Sequence, residues 1–182
     1  INGYEYVDLG LPSGLKWATC NIGATSAGEY GEYYMLGALT PSTSSDTSYV
    51  SPARFMGSIS GNPQLDVARA KWGASWRIPS LDEFIELLKT CDWEWTSKSG
   101  HNGYKVIGPN GNSIFLPAAG YYKEEGLGYS ENRGHYWSAT GDVETIEDDG
   151  YTSFMELRFD KKGRRIDRRS NYRPHPIRPV SD

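Results

Sequence analysis

Apolar residues recur along this chain in two rhythms, one helical and one alternating, and the change falls near residue 100. From Trp76 to Trp95 the chain reads W-R-I-P-S-L-D-E-F-I-E-L-L-K-T-C-D-W-E-W. Leu81, Phe84, Ile85 and Leu88 follow i, i+3, i+4, i+7 spacing, which puts them on one helical face. Ser80 stands at the N-cap with Glu83 three residues on, the pattern of a capping box. Pro79 precedes the cap, Phe84 takes the N4 place of a hydrophobic staple, and Asp82 and Glu83 occupy the end of the helix that favours anions. Trp76, Ile78, Trp93 and Trp95 add apolar surface on both sides. This stretch is expected to be the core helix, a scaffold without chemistry of its own.

Before it, Tyr4, Tyr6 and Val7 suggest a first strand, L-P-S-G a turn, and Leu15 to Cys20 a second strand. Glu29 to Leu39 reads as a short buried strand or turn. Thr40 to Gln64, dominated by Ser, Thr, Gly and Pro, reads as a long surface loop. Asp66 is placed to cap a short helix through Lys71, and Gly73 to stop it. Beyond residue 100, Tyr104–Ile107 and Ser113–Leu116 flank P-N-G-N, a hairpin turn with Asn-Gly at its centre. Gly134–Ala139 and Ser153–Phe159 read as strands, D-K-K-G turns the second into Arg164–Arg169, and His175–Val180 is expected to be the last strand. A few strands, two helices and a run of antiparallel strands make an α+β pattern in one domain, residues 1–182.

The 182 residues suffice for one packed core. A net charge of -4 with a mean hydropathy of -0.61 disfavours a nucleic-acid partner. No apolar run approaches the roughly 20 residues of a membrane span. The chain opens I-N-G-Y-E-Y without an initiator Met, so its natural start is expected to have been removed.

Cys20 and Cys91 have neither CxxC nor zinc spacing; a single disulfide and two buried thiols both remain open. His101, His135 and His175 lack local metal spacing and are expected on the surface or in loops. Asp142, Glu144, Glu147, Asp148 and Asp149 form an acidic loop that matches no calcium motif, so a solvated loop is preferred over a calcium site. Arg158, Lys161, Lys162, Arg164, Arg165, Arg168, Arg169, Arg173 and Arg178 crowd one short segment. Such arginines can grip carboxylate, sulfate or phosphate, or can keep an exposed edge soluble. No nucleophile elbow, HExxH or P-loop is present, and no metal or other cofactor is expected.

Several segments together carry a family resemblance. V-D-L-G-L-P-S-G-L-K-W-A-T-C-N-I-G-A (7–24), Y-G-E-Y-Y (30–34), W-G-A-S-W-R-I-P-S-L-D-E-F-I-E-L-L (72–88) and C-D-W-E-W (91–95) are followed in order by G-N-S-I-F-L-P-A-A-G-Y (111–121), Y-W-S-A-T (136–140), L-R-F-D (157–160) and I-R-P-V (177–180). The chain resembles the major paralogous domain family first described from Fibrobacter succinogenes. Met35-Leu36 depart from the small residue and Trp usual in that family, and Pro174 stands where a Gly usually precedes the last strand.

The resemblance implies a C-type-lectin-like fold and export in Bacteroidetes-type bacteria. It implies an extracellular or outer-surface location, often in a lipoprotein anchored through a segment before residue 1. It also implies kinship with the variable proteins of diversity-generating retroelements, in which C-terminal strands and loops contact the ligand. Formylglycine-generating enzymes share such a fold, but their C-terminal cysteine pair has no counterpart here. The expected function is therefore non-enzymatic binding or adhesion, with a glycan or a surface protein as partner; a structural module of a surface appendage is the alternative.

In such a fold Tyr129, Glu131, Asn132, Arg133 and His135 should neighbour Arg168, Arg169, Asn171, Tyr172, Arg173 and His175. Together they are expected to form one exposed ligand face, anchored by Tyr129, Tyr172 and the arginines. The resembling motifs also place Cys20 and Cys91 on elements expected to pack together, with Cα atoms within about 7 Å.

Overall fold

The computed structural model describes residues 1–142, 146–147, 150–151 and 153–182. Of the acidic loop, Glu144, Asp148 and Asp149 lie outside these residues. Strand β1 (Tyr6–Asp8) pairs with β2 (Lys16–Ala18), and helix α1 (Val67–Trp72) precedes α2 (Leu81–Thr90). Next come β3 (Asp92–Lys98), β4 (His101–Ile107), β5 (Ser113–Pro117), β6 (Tyr121–Lys123), β7 (Gly126–Gly128) and β8 (Arg133–Gly141). The short pair β9 (Ile146–Glu147) and β10 (Gly150–Tyr151) is followed by β11 (Ser153–Asp160), β12 (Gly163–Ser170) and β13 (Val180–Ser181). The strands form small sheets ordered β1-β2-β13, β3-β4-β5, β6-β7, β12-β11-β8 and β10-β9, with antiparallel pairing, an α+β architecture as expected. Among the described residues no helix is long and apolar enough to cross a membrane.

Helix α2 begins as its sequence dictates. The Ser80 hydroxyl accepts from the Glu83 amide at 3.3 Å, and the Glu83 carboxylate accepts from the Ser80 amide at 2.7 Å. Arg77 grips the same carboxylate at 2.6 and 2.9 Å. The buried stripe is centred on Phe84 and Leu87, with Leu81 and Ile85 only half-buried. Phe84 packs on Trp17 at 5.5 Å, which joins the helix to the central strand of the terminal sheet. Asp66 caps α1 by accepting from the Ala68 and Arg69 amides.

Sheet β12-β11-β8 separates two core clusters. Alternation on β11 sends Leu157 and Phe159 to the cluster containing Phe84, Trp17 and Tyr136. It sends Phe154 to the other, with Trp137, Trp76 and Tyr34. Glu156 and Arg158 share the face of Phe154, and by register Arg165, Asp167 and Arg169 of β12 project with them.

Three points correct the sequence expectations or settle what they left open. Trp93 and Trp95 belong to β3, where their alternation sets both rings against Tyr104 at 5.5 and 5.1 Å. The expected last strand, His175–Val180, shrinks to Val180–Ser181, because Pro176 and Pro179 have no amide proton for a ladder. The carbonyls there still accept, Ile177 from the Ile22 amide at 3.1 Å and Pro179 from the Ala18 amide at 2.9 Å. Cys20 and Cys91 are free thiols, Cys91 within one core cluster and Cys20 packed against the other, so no disulfide joins these elements.

The long 40–64 segment has neither helix nor named strand, as expected, yet it is clamped to β8. The Ile59 amide donates to Ala139 at 3.0 Å, and the Gly141 amide donates to Gly57 at 3.0 Å.

Candidate functional site

Glu156 occupies an apolar-patterned strand on a face that leads into the core, and it is fully buried. A buried carboxylate needs donors. They come from three separate elements. His135 of β8 donates from Nδ1 to both carboxylate oxygens, at 3.1 and 3.2 Å. His175, held beside Tyr34 by an isolated bridge, donates from Nε2 at 2.7 Å. Arg169 of β12 brings Nε within 3.0 Å of Oε1, outside hydrogen-bond alignment, so this contact is an ion pair. The His175 ring stacks on Trp137 at 4.1 Å with planes 12° apart, and the Trp137 indole donates to the Tyr34 carbonyl at 2.9 Å.

Burial pushes His135 down to about 4, against the pull of the Glu156 carboxylate, so the imidazole is neutral at pH 7. Burial also opposes charge on Glu156, but hydrogen bonds from His135 and His175 outweigh it and bring the carboxyl to about 2. An ionised carboxylate only accepts, which assigns the donating nitrogens.

Among the described residues this is the one group whose donor atoms suit a metal, all within 4.8 Å of one another. His175 Nε2 stands at a hydrogen-bond length of 2.7 Å from the carboxylate, and a guanidinium already sits on it. The set therefore fits a hydrogen-bonded ionic network better than a metal centre.

Above this floor lies a layer of tyrosines and cations. The Tyr121 ring lies 4.9 Å from His135 and 5.3 Å from His175. Its hydroxyl accepts from Arg173 at 2.9 Å, and the same guanidinium lies 5.6 Å from both the Tyr121 and Tyr172 rings. Tyr129, 39% exposed, stands 5.7 Å from Tyr121, with Arg133 over its ring at 4.1 Å and Lys123 at 5.3 Å. A tight turn presents it: Tyr129 and Glu131 have φ of 63° and 69°, and the Tyr129 carbonyl accepts from the Arg133 amide at 2.8 Å.

The two sequence stretches thus meet, but not as one exposed surface. Tyr129, Arg133, Tyr172 and Arg173 form the outer layer. His135 and His175 are buried, contrary to their expected exposure, because Glu156 requires donors beneath that layer. Arg169 is half-buried on the same carboxylate. Asn171 is buried too, its carbonyl accepting from the Leu36 amide at 3.0 Å.

Glu131 turns away from the face. It accepts from the Tyr30 hydroxyl and from the Asn102 amide at 2.9 Å, and meets His101 Nδ1 at 2.6 Å. Asn132 is exposed at the turn. Arg168 lies on the opposite face of β12, where strand alternation directs it to Asp142 at 3.4 Å.

Sequence reading missed Tyr121, Lys123 and Glu156. The signal for Glu156 was present, a lone acid among the alternating apolar residues of S-F-M-E-L-R-F. No family model, curated protein or solved structure matches the chain.

Proposed function

We propose that this chain is a non-enzymatic ligand-binding or adhesion domain of an exported bacterial surface protein, with a C-type-lectin-like fold. Its ligand, a glycan or a surface protein, docks on the layer formed by Tyr129, Arg133, Tyr172 and Arg173 over the buried Tyr121 ring. One observation carries the reading: Tyr129 and Arg173, from different parts of the chain, both pack against the Tyr121 ring, at 5.7 and 5.6 Å. Tyrosine rings give large contact area for little lost rotamer freedom, and arginines beside them supply directional donors. The buried network below holds the backbone that presents them. The sequence resemblance supports the same face, since the related variable proteins bind through C-terminal strands and loops.

The test is a Tyr129→Ala, Tyr172→Ala, Arg173→Ala triple variant, checked for native circular dichroism and compared with the parent on glycan and surface-protein arrays. Loss of the parent's hits supports this face, and unchanged hits relocate the site.

An assembly module is the second reading, favoured by Val50 and Phe55, which stand 64% and 62% exposed on the 40–64 segment. Concentration-dependent association in sedimentation, abolished by Phe55→Ser, would support it.

A further inference from the structure

The β11–β12 hairpin gathers more positive charge than its carboxylates match. Arg158 and Arg165 are direct cross-strand partners, so two guanidiniums leave the same face side by side. Like charges placed opposite each other destabilise a sheet unless an anion lies between them. Asp167 meets both, at 3.4 Å each, and meets Arg169 at 3.8 Å. Arg169 has Glu156 as its nearer partner at 3.0 Å, so Asp167 is left to serve Arg158 and Arg165, and both of those contacts are longer than the ~2.7–2.9 Å of a well-formed charge-assisted bond.

Asp160 does not make up the difference. Its Oδ1 accepts from the Lys162 and Gly163 amides at 2.8 and 3.2 Å, which closes the turn. A hollow of about 320 Å³ opens at this end of the sheet, lined by Arg158, Lys162 and Arg165 along with Asp160. The excess is local, since the whole chain carries a net charge of -4.

We propose that this hollow is an oxyanion site, which takes a sulfate or phosphate group between Arg158 and Arg165 with Lys162 at its rim. The planar guanidinium fork matches the oxygens of such groups two at a time. Arg158, with its side chain 20% exposed, forms the fixed wall; Arg165, 64% exposed, has only its 3.4 Å contact with Asp167 to give up in closing on the anion. None of the tyrosines of the proposed ligand face lines the hollow, so the two sites succeed or fail separately.

The test titrates the protein with sodium sulfate, sodium phosphate and a sulfated polysaccharide, each against sodium chloride at equal ionic strength. The readouts are the side-chain ¹⁵Nε resonances of Arg158 and Arg165 and the thermal midpoint. Sulfate or phosphate should shift both resonances saturably and raise the midpoint, where chloride does neither. Arg158→Gln and Arg165→Gln should each weaken that response by roughly tenfold or more, the loss expected for one charge-assisted pair. Polysaccharide binding tighter than inorganic sulfate and lost in the same variants assigns the anion to a carried group. Equal or weaker polysaccharide binding assigns a free anion. If chloride reproduces the sulfate response, or if natively folded Arg165→Gln keeps the parent affinity, the proposal is overturned.

Discussion

His135 and His175 hold their rings 5.6 Å apart around one carboxylate, that of Glu156. One comes from β8 and the other from the proline-rich segment before β13, so the carboxylate of β11 ties the C-terminal passage to the central sheet. The proposed ligand face lies directly on this tie, through Tyr121.

Glu156→Ala should destabilise the domain by about 3–5 kcal/mol, the cost of breaking a buried ion pair by removing one partner. Arg169 and two buried imidazoles would lose their shared anion. A urea titration checks this, and an unchanged midpoint would show that the network carries no stability.

Acid should act on His135 before it acts on Glu156. His135 is held at about 4 in the fold, below its unfolded value near 6.5. The unfolded chain therefore takes up a proton first, and stability falls as pH drops from about 6.5 toward 4, by at most ~1.4 kcal/mol per pH unit. Glu156, brought to about 2, adds a further loss only below its ordinary value near 4.5. Stability curves measured between pH 7 and 4 should be flatter for His135→Gln than for the parent; parallel curves would contradict the assignment.

Phe84→Ala should cost roughly 3–5 kcal/mol, since the ring is fully buried on Trp17. Chemical denaturation monitored by tryptophan fluorescence reads the change. A loss under about 1 kcal/mol would mean that the site collapses around the missing ring.

Both thiols should be free and slow to react in the folded protein. Burial raises Cys91 to about 11 and also raises Cys20, so little thiolate exists at neutral pH. Alkylation without reductant should add no label to the native protein and two labels after unfolding, as read by intact mass. Labels that enter only after reduction would establish a disulfide instead.

The sequence by itself determined the elements whose causes are local. The start of α2 was legible because Ser80 and Glu83 answer each other across one turn, and α1 because Asp66 reaches its own first amides. The β4–β5 hairpin followed from Asn-Gly between two apolar runs. Pro176 and Pro179 were a local signal against the expected His175–Val180 strand, but the apolar residues around them masked it, and only Val180–Ser181 pairs. Tertiary structure alone decided what meets Glu156. Nothing near His135 in the chain marks it as a partner of His175, and both looked like surface residues until one buried carboxylate required two donors. It also separated Arg168 from Arg169. The two are alike in sequence, but strand alternation sends one to Asp142 and the other to Glu156, and only pairing with β11 determines which face is covered. Charge and aromatic content describe what a segment can do, whereas burial depends on contacts between distant segments, and those form only when the whole chain packs.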